Sequence, residues 1–188
     1  MALVYFALAL LGLLILAVIA IVIIASMKPG SFRIQRSANI DASPDRIFAF
    51  VNDLHLHRDW NPFDQDPSLQ RTYSGAPSGK GAAYNWEGNR KVGKGRIEIT
   101  DASAPSAITM SLKMVSPFKC NNRVEFTFVP QGGATNVNWA MSGPQPFMAK
   151  VMSTIMDCDK MMGGEFEKGL AKLKSLAEAP DPLIAKAS

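Results

Sequence analysis

The hydrophobic residues of this chain follow three successive patterns. From Ala2 to Met27 they form an almost unbroken run of Leu, Ile, Val and Ala without a charged side chain. Apolar and polar residues alternate from Phe32 to Ile40 and again from Leu69 to Ser142, as in strands with one buried face. From Pro146 to Ala177 apolar residues recur at steps of three and four, which predicts one long helix with an apolar stripe. The chain order thus predicts an apolar helix, then a sheet, then a helix that packs on the sheet.

The first apolar run is long enough to cross a bilayer, because a hydrocarbon core about 30 Å thick needs roughly 20 helical residues. A cleaved signal peptide is the alternative, but it would carry a basic n-region and a shorter apolar segment. No basic residue precedes this run, so we expect an uncleaved transmembrane anchor over residues 1–27. Lys28, Arg33 and Arg36 follow it, and the positive-inside rule therefore predicts a single-pass membrane protein with its domain in the cytoplasm.

Pro29 and Gly30 interrupt the chain directly after the anchor. They predict a short linker over residues 28–31. We expect one domain over residues 32–178 and a C-terminal tail over residues 179–188.

Within the domain, Ser43 followed by Pro44 predicts the start of a short helix, because serine caps helices and proline suits the first helical position. The segment 61–63 (Asn-Pro-Phe) predicts a corner. Later strands are separated by turns rather than helices, which indicates an antiparallel meander, and residues 131–134 (Gln-Gly-Gly-Ala) predict a hairpin turn.

Two adjacent glycines, Gly163 and Gly164, lie inside the predicted C-terminal helix. Each costs about 1 kcal/mol relative to alanine in a helix interior. They predict a bend, or a close approach by another backbone, between a first half (147–156) and a second half (166–176) that packs on the sheet.

The formal net charge of +4 lies entirely after the anchor, but the basic residues alternate with acidic ones and form no basic run. We therefore do not expect nucleic-acid binding. Cys120 and Cys158 are far apart and lack a Cys-x-x-Cys pattern, so two free thiols in a reducing compartment are expected, with a disulfide as the alternative.

His55 and His57, near Asp53 and Asp59, suggest a metal site at first sight. Residues two apart do not share a helical face, and no third strong ligand is near, so a surface cluster is the expected arrangement. We predict no catalytic residue, no metal site and no cofactor. Strand alternation also places three acidic residues opposite the apolar faces, where we expect them to meet solvent: Glu87, Glu98 and Glu125.

The element order resembles the START-like helix-grip fold of the SRPBCC superfamily, and several segments are similar to its polyketide cyclase/dehydrase-type members. The similarity extends from Phe32 to Leu176. The segments that carry it are residues 40–51 (IDASPDRIFAFV), 60–63 (WNPF), 86–89 (WEGN) with 93–95 (GKG), and 166–173 (FEKGLAKL).

The resemblance implies an α+β fold in which a curved antiparallel sheet encloses a long C-terminal helix and leaves a cavity between them. Trp60 and Phe63 would lie near its mouth. The alternative is that inward apolar residues fill a solid core. Strand parity and helix periodicity nominate the lining as Tyr84, Trp86, Met110, Met114, Phe126, Trp139 and Met141 from the strands, with Phe147, Met148, Val151, Met152, Ile155 and Met156 from the helix.

The function we expect is a membrane-anchored domain that binds a lipid or other hydrophobic small molecule in this cavity. Ten methionines in the chain would provide an adaptable apolar wall. A polyketide cyclase/aromatase-like enzyme is one alternative, and a non-catalytic accessory protein of a membrane complex is another. The sequence identifies neither the ligand nor a protein partner nor the oligomeric state.

Overall fold

The computed structural model describes residues 1–89 and 92–180, so the predicted tail lies outside the described residues from position 181 onward. Its helices are α1 (Ala2–Met27), α2 (Pro44–Asn52), α3 (His57–Trp60), α4 (Phe147–Ile155) and α5 (Cys158–Glu178), with a 3-10 turn at Pro62–Asp64. Its strands are β1 (Ser31–Ile40), β2 (Gln70–Gly75), β3 (Ala82–Glu87), β4 (Lys94–Ser103), β5 (Ala107–Ser116), β6 (Cys120–Gln131) and β7 (Ala134–Pro144).

The strands form one curved antiparallel sheet in the order β1-β7-β6-β5-β4-β3-β2. All neighbours except β1 and β7 are also neighbours along the chain, which confirms the predicted meander. α5 packs on the concave face through its buried residues Phe166, Leu170 and Leu173. The predicted α+β helix-grip fold is therefore confirmed, together with an N-terminal helix long and apolar enough to span a membrane.

The structure contains the predicted start of α2 and the predicted hairpin turn between β6 and β7. Ser43 accepts a hydrogen bond from the Arg46 amide, and Pro44 follows it in the first turn of α2. The turn between β6 and β7 places Gly132 and Gly133 at φ of +56° and +99°, which glycine adopts without strain and which a two-residue hairpin loop requires.

The prediction of one long helix from Pro146 to Ala177, bent at Gly163 and Gly164, is wrong, because the chain leaves helical geometry at Met156 and a new helix begins after Asp157. The Asp157 carboxylate accepts a hydrogen bond from the Lys160 amide at 2.9 Å. An aspartate at this position satisfies an amide that the first turn of a helix leaves unpaired. The polar cap therefore ends the apolar stripe and lets α4 and α5 take different directions.

The predicted joint at Gly163 and Gly164 is also wrong, since α5 runs through both residues. What approaches Gly163 is a side chain rather than a backbone. A Cβ at Gly163 would lie 2.0 Å from the Arg36 guanidinium, whereas a Cβ at Gly164 would meet nothing within 4 Å. Arg36 uses this space to bind the carboxylates of Asp159 and Glu167, each at 2.8 Å. The ion pairs raise the pKa of Arg36 and connect β1 to α5.

One end of the sheet adjoins α1, and we name it the α1 end. β1 begins there three residues after Lys28, and Ser31 pairs with Pro144 at the end of β7. Because the strands are antiparallel, the first residues of some strands and the last residues of their neighbours lie at this same end of the sheet. These terminal residues are Ser31, Pro144, Cys120, Ser116, Lys94, Glu87 and Gln70.

Candidate ligand-binding site

The part of the concave face beneath α5 is filled by aromatic rings. Trp139 stacks on Phe166, with ring centroids 4.3 Å apart and an interplanar angle of 6°. Trp60 meets Trp139 and Phe126 edge to face at 5.6 and 5.8 Å. Gly169 allows this contact, because a Cβ there would lie 2.7 Å from the Trp139 ring. This part of the domain is a packed core.

Several of the nominated lining residues belong to this core. They are each between 1% and 6% exposed, so a ligand would reach them only as the floor of a site. The residues are Trp60, Tyr84, Met110, Phe126, Trp139 and Met141.

The concave face is more open at the α1 end, beyond the aromatic core. Trp86 and Met114, both nominated, are half-buried here, and the Trp86 ring lies over Gly95, which pairs with Met114. Phe63 is 43% exposed and contacts the rings of Trp139 and Phe166 edge to face at 6.4 and 6.3 Å. We name the half-exposed apolar set on this face the α1-end strip. It consists of Phe32, Phe63, Trp86, Leu112, Met114 and Met162.

Asn122 places a polar group on the same end of the concave face. It is 8% exposed, and among the described residues its Nδ2 donates only to two sulfur atoms, Cys120 Sγ at 3.6 Å and Met141 Sδ at 3.8 Å. Its Oδ1 has no hydrogen-bond partner among the described residues. Gly143 provides the space for this amide, because a Cβ there would lie 2.2 Å from Oδ1. Since thioethers and thiols are weak acceptors, the Asn122 amide retains capacity for a strong hydrogen bond.

A buried polar cluster holds the 3-10 turn that carries Phe63 against the sheet. The Asp64 carboxylate accepts from Tyr84 Oη at 2.6 Å and from Arg71 Nε at 3.0 Å. A second Arg71 nitrogen donates to the Asp64 carbonyl. Burial, and after it the Asp64 charge, raises the pKa of Tyr84 well above its usual value, so the phenol remains a hydrogen-bond donor. The hydrogen bonds within the cluster position Phe63.

The expectation that both histidines lie at the surface is correct for His55 but wrong for His57. His57 is 1% exposed, its Nε2 donates to the Val51 carbonyl at 2.9 Å, and its ring meets Trp60 edge to face at 4.9 Å. Burial lowers the pKa of His57 below its ordinary value. His57 is therefore a neutral core residue, because its turn of helix faces the inside of the domain.

A concavity of about 190 Å³ lies outside the predicted location. His55 stacks on Tyr73 at its wall, with ring centroids 4.0 Å apart. The volume is below the roughly 300–1,000 Å³ of typical small-molecule sites. Its lining differs from the predicted set and consists of Leu54, His55, Tyr73, Ser74, Gly75, Ala76, Pro77, Ala82 and Ala83.

The nominated residues of the predicted helix's first half do not lie on the concave face. They belong to α4 and the residue after it, and α4 packs beside α1. Five of them are exposed by 40% to 69%, and Val151 is half-buried. The structure therefore separates Phe147, Met148, Val151, Met152, Ile155 and Met156 from the strand residues with which they were grouped.

Sequence reasoning missed Asn122 and Leu112. Asn122 precedes Val124, Phe126 and Phe128 at the same two-residue spacing, so strand parity could have placed it on the concave face. Strand parity nominated only the apolar residues of this face, and the acidic candidates Glu87, Glu98 and Glu125 have the opposite parity. Leu112 lies between two nominated positions of the same strand.

Comparisons with known proteins agree with this architecture. The family model described as polyketide cyclase / dehydrase and lipid transport matches residues 31–178. The di-domain ARO/CYC protein BexL from the BE-7585A biosynthetic pathway has a TM-score of 0.63 at 13% identity, over 85% of this chain and 54% of that one.

Two further solved structures share the fold. The protein MLL2253 from Mesorhizobium loti has a TM-score of 0.60 at 15% identity, over 80% of this chain and 99% of that one. The Aha1 dimer from Colwellia psychrerythraea has a TM-score of 0.56 at 15% identity, over 78% and 96%. No curated protein matches the chain in sequence. The family match covers most of the chain, which therefore belongs to the polyketide cyclase/dehydrase and lipid transport family of the SRPBCC type.

Proposed function

We propose that this protein binds a hydrophobic small molecule or lipid on the α1-end strip and is anchored in a membrane by α1. The observation that carries the proposal is the incomplete cover of the concave face. Aromatic residues fill it beneath α5, whereas apolar side chains at the α1 end remain half-exposed around the Asn122 amide. Mostly apolar surface with one oriented polar group is the usual composition of a small-molecule site.

The amide defines the kind of ligand we expect. A buried amide oxygen without a partner costs free energy that a ligand donor would recover. The proposed ligand is therefore apolar over most of its surface and carries a hydroxyl or similar donor near one end. The core residues Met110 and Met141 would form the floor, and Trp86 and Met114 the side.

The membrane part of the proposal rests on α1. Its 26 residues correspond to about 39 Å of helix, which exceeds a hydrocarbon core of about 30 Å. Its apolar side chains are exposed over nearly its whole length. Lys28 directly after the helix favours a cytoplasmic domain. An impermeant maleimide should label the exposed thiol of Cys158 only after the cells that express the chain are lysed, and labelling of intact cells would reverse this orientation.

A cyclase-like enzyme is the second candidate, since the family description includes cyclases. Such chemistry needs an acid or base that is free to meet the substrate. The Asp64, Tyr84 and Arg71 cluster beside the strip directs its hydrogen bonds within itself. This arrangement supports binding ahead of catalysis.

Native mass spectrometry of the full chain in lipid nanodiscs, with extraction of the retained compound, tests the binding proposal. We expect an apolar compound with one polar group. Leu112→Trp should fill the strip and abolish retention. Asn122→Leu should weaken retention about tenfold, the effect of one lost hydrogen bond of roughly 1.4 kcal/mol.

Asn121→Leu is the matched control, because Asn121 is the exposed neighbour on the opposite face of β6. It should leave retention unchanged. The absence of any retained compound, or equal retention by the wild type and Leu112→Trp, would contradict the proposal.

A further inference from the structure

α4 has its apolar face turned away from the protein. Phe147, Met148, Met152 and Ile155 are 47%, 69%, 48% and 63% exposed. The surface helices of water-soluble domains have the opposite arrangement, with the apolar side buried and the polar side in water. An apolar phase outside the protein is therefore needed to cover this side of α4.

The polar side of α4 faces the protein. Lys28 Nζ donates to the Ser153 carbonyl at 2.6 Å and to Ser153 Oγ at 3.0 Å, and Gln145 Nε2 donates to the same hydroxyl at 3.0 Å. The backbone N–H of Gln145 also donates to the Gly30 carbonyl at 2.8 Å. These bonds join α4 to the segment that follows α1 and fix the outward direction of its apolar side.

α4 also packs against α1, and Ala25 in the last turn of α1 is completely buried. The length of α1 exceeds the thickness of the hydrocarbon core by about 9 Å, or roughly six residues. With the start of α1 at the far boundary of the hydrocarbon core, its last turns, and α4 beside them, fall at the depth of the lipid headgroups and upper acyl chains. Interfacial helices lie at this depth, with the apolar face buried about 5–10 Å into the boundary.

The end of β5 and the connection to β6 add apolar surface at the same end of the sheet. Phe118 is 81% exposed and Val115 is 60% exposed. The register places this connection at the α1 end, and Lys119 beside Phe118 supplies a positive charge suited to anionic headgroups. Segments that bind at a membrane interface combine apolar residues such as Phe with Lys or Arg.

We infer that α4, together with the segment 115–119, lies in the membrane interface as a second, non-spanning attachment of the domain. The occupant of its apolar face is the lipid bilayer. A second copy of the chain is less suitable, because the apolar face of α4 continues onto α1, which a bilayer covers as well. The inference rests on the proposed anchor and adds a consequence, since it holds the α1-end strip next to the lipid.

Depth measurements by spin labelling test the inference on the full chain in vesicles of phosphatidylcholine and phosphatidylglycerol. In a background with Cys120→Ser and Cys158→Ser, nitroxides are attached one at a time at Leu14→Cys, Met152→Cys, Phe118→Cys and Lys172→Cys. Their accessibility to oxygen, which concentrates in lipid, is compared with accessibility to a nickel chelate, which stays in water. All four side chains are exposed, so the substitutions leave the core intact.

We expect the labels at Met152 and Phe118 to have an oxygen-to-nickel ratio several-fold above that at Lys172 on the outer face of α5. The label at Leu14 in the middle of α1 reports the anchor separately. Lipid exposure at Leu14 with water exposure at Met152 would overturn the inference and leave the anchor intact. Water exposure at Leu14 would overturn the anchor and the inference together.

A label at Met152 that is shielded from both reagents and is broadened by a neighbouring nitroxide would show a second copy on α4. That result would also overturn the assignment of the bilayer as the occupant. Dilution with unlabelled chain distinguishes this case, because it removes the broadening only when two chains meet.

Discussion

α4 and α5 have similar apolar periodicity and nearly adjoin along the chain, yet they use it in opposite ways. α5 buries Phe166, Leu170 and Leu173 in the curved sheet at 1% exposure or less. α4 contains no buried residue and directs Ser153 toward the protein while its apolar side is exposed. The difference shows that an apolar stripe identifies the side of a helix that avoids water, but not the partner that covers it.

Replacement of one aromatic side chain by alanine in each helix tests this comparison most strongly. Phe166→Ala removes a ring stacked in the core and should lower the free energy of unfolding by about 3–5 kcal/mol. Phe147→Ala removes a half-exposed ring and should change it by less than about 0.5 kcal/mol. Guanidinium unfolding of the full chain in detergent micelles, followed by tryptophan fluorescence, measures both. Similar losses would mean that α4 is also part of the core.

Protonation of His57 reports whether the region beneath α5 is closed to water, because His57 lies in α3 and α3 packs against α5. Burial lowers the folded-state pKa of His57 below the ordinary value of 6.5. The unfolded chain therefore binds more protons below about pH 6.5, and stability should fall as pH decreases from there toward the folded-state pKa. The slope is at most about 1.4 kcal/mol per pH unit for one group.

His57→Gln should remove this part of the pH dependence, as measured by unfolding between pH 5 and 7.5. The exposed residue provides the control, because His55→Gln should retain the wild-type slope. An equal dependence of the free energy of unfolding on pH in the wild type and His57→Gln would show that the His57 imidazole is accessible to water.

The break between the two helices depends on Asp157. Asp157→Ala should lower the free energy of unfolding by about 1 kcal/mol, because the Lys160 amide loses its acceptor. Asp157→Asn should remain within a few tenths of the wild type, since asparagine caps equally well. Stabilisation by Asp157→Ala would instead indicate one continuous helix, which circular dichroism would register as increased helix content.

Substitution of the two glycines of α5 should change the free energy of unfolding least, and the two variants form a closely matched pair. Gly164→Ala should raise the free energy of unfolding by up to about 1 kcal/mol, because its Cβ meets open space. Gly163→Ala should gain less or lose stability, because Arg36 must move away from Asp159 and Glu167. The same unfolding assay decides, and equal gains would mean that Arg36 shifts without cost.

Much of the fold followed from local patterns. Alternation of apolar and polar residues located the strands. Ser43 with Pro44 marked the start of α2, and Gly132 with Gly133 marked the hairpin turn between β6 and β7. The helix break was less accessible, because an aspartate cap is a weak signal inside a strong apolar periodicity. The buried position of His57 was also missed, since a four-residue helix carries too little pattern to assign a buried side.

The candidate site was only partly predictable. Trp86 and Met114 follow from strand parity and lie on the half-exposed α1-end strip. Asn122 has the same parity, but its importance depends on Gly143 beside it and on sulfur atoms as its neighbours. Strand parity assigns a residue to a face without indicating whether α5 covers it. The curvature of the sheet and the position of α5 decide that.

The sequence by itself determined the apolar N-terminal helix, the antiparallel sheet and the apolar side of each later helix, because these follow from periodicities within short segments. Only the tertiary structure decided what each apolar side meets. The sheet closes β1 onto β7, and this long-range pairing brings Gly30 and Lys28 to the start of α4. Contacts between residues more than a hundred positions apart therefore hold α4 beside α1, while α5 packs on the concave face.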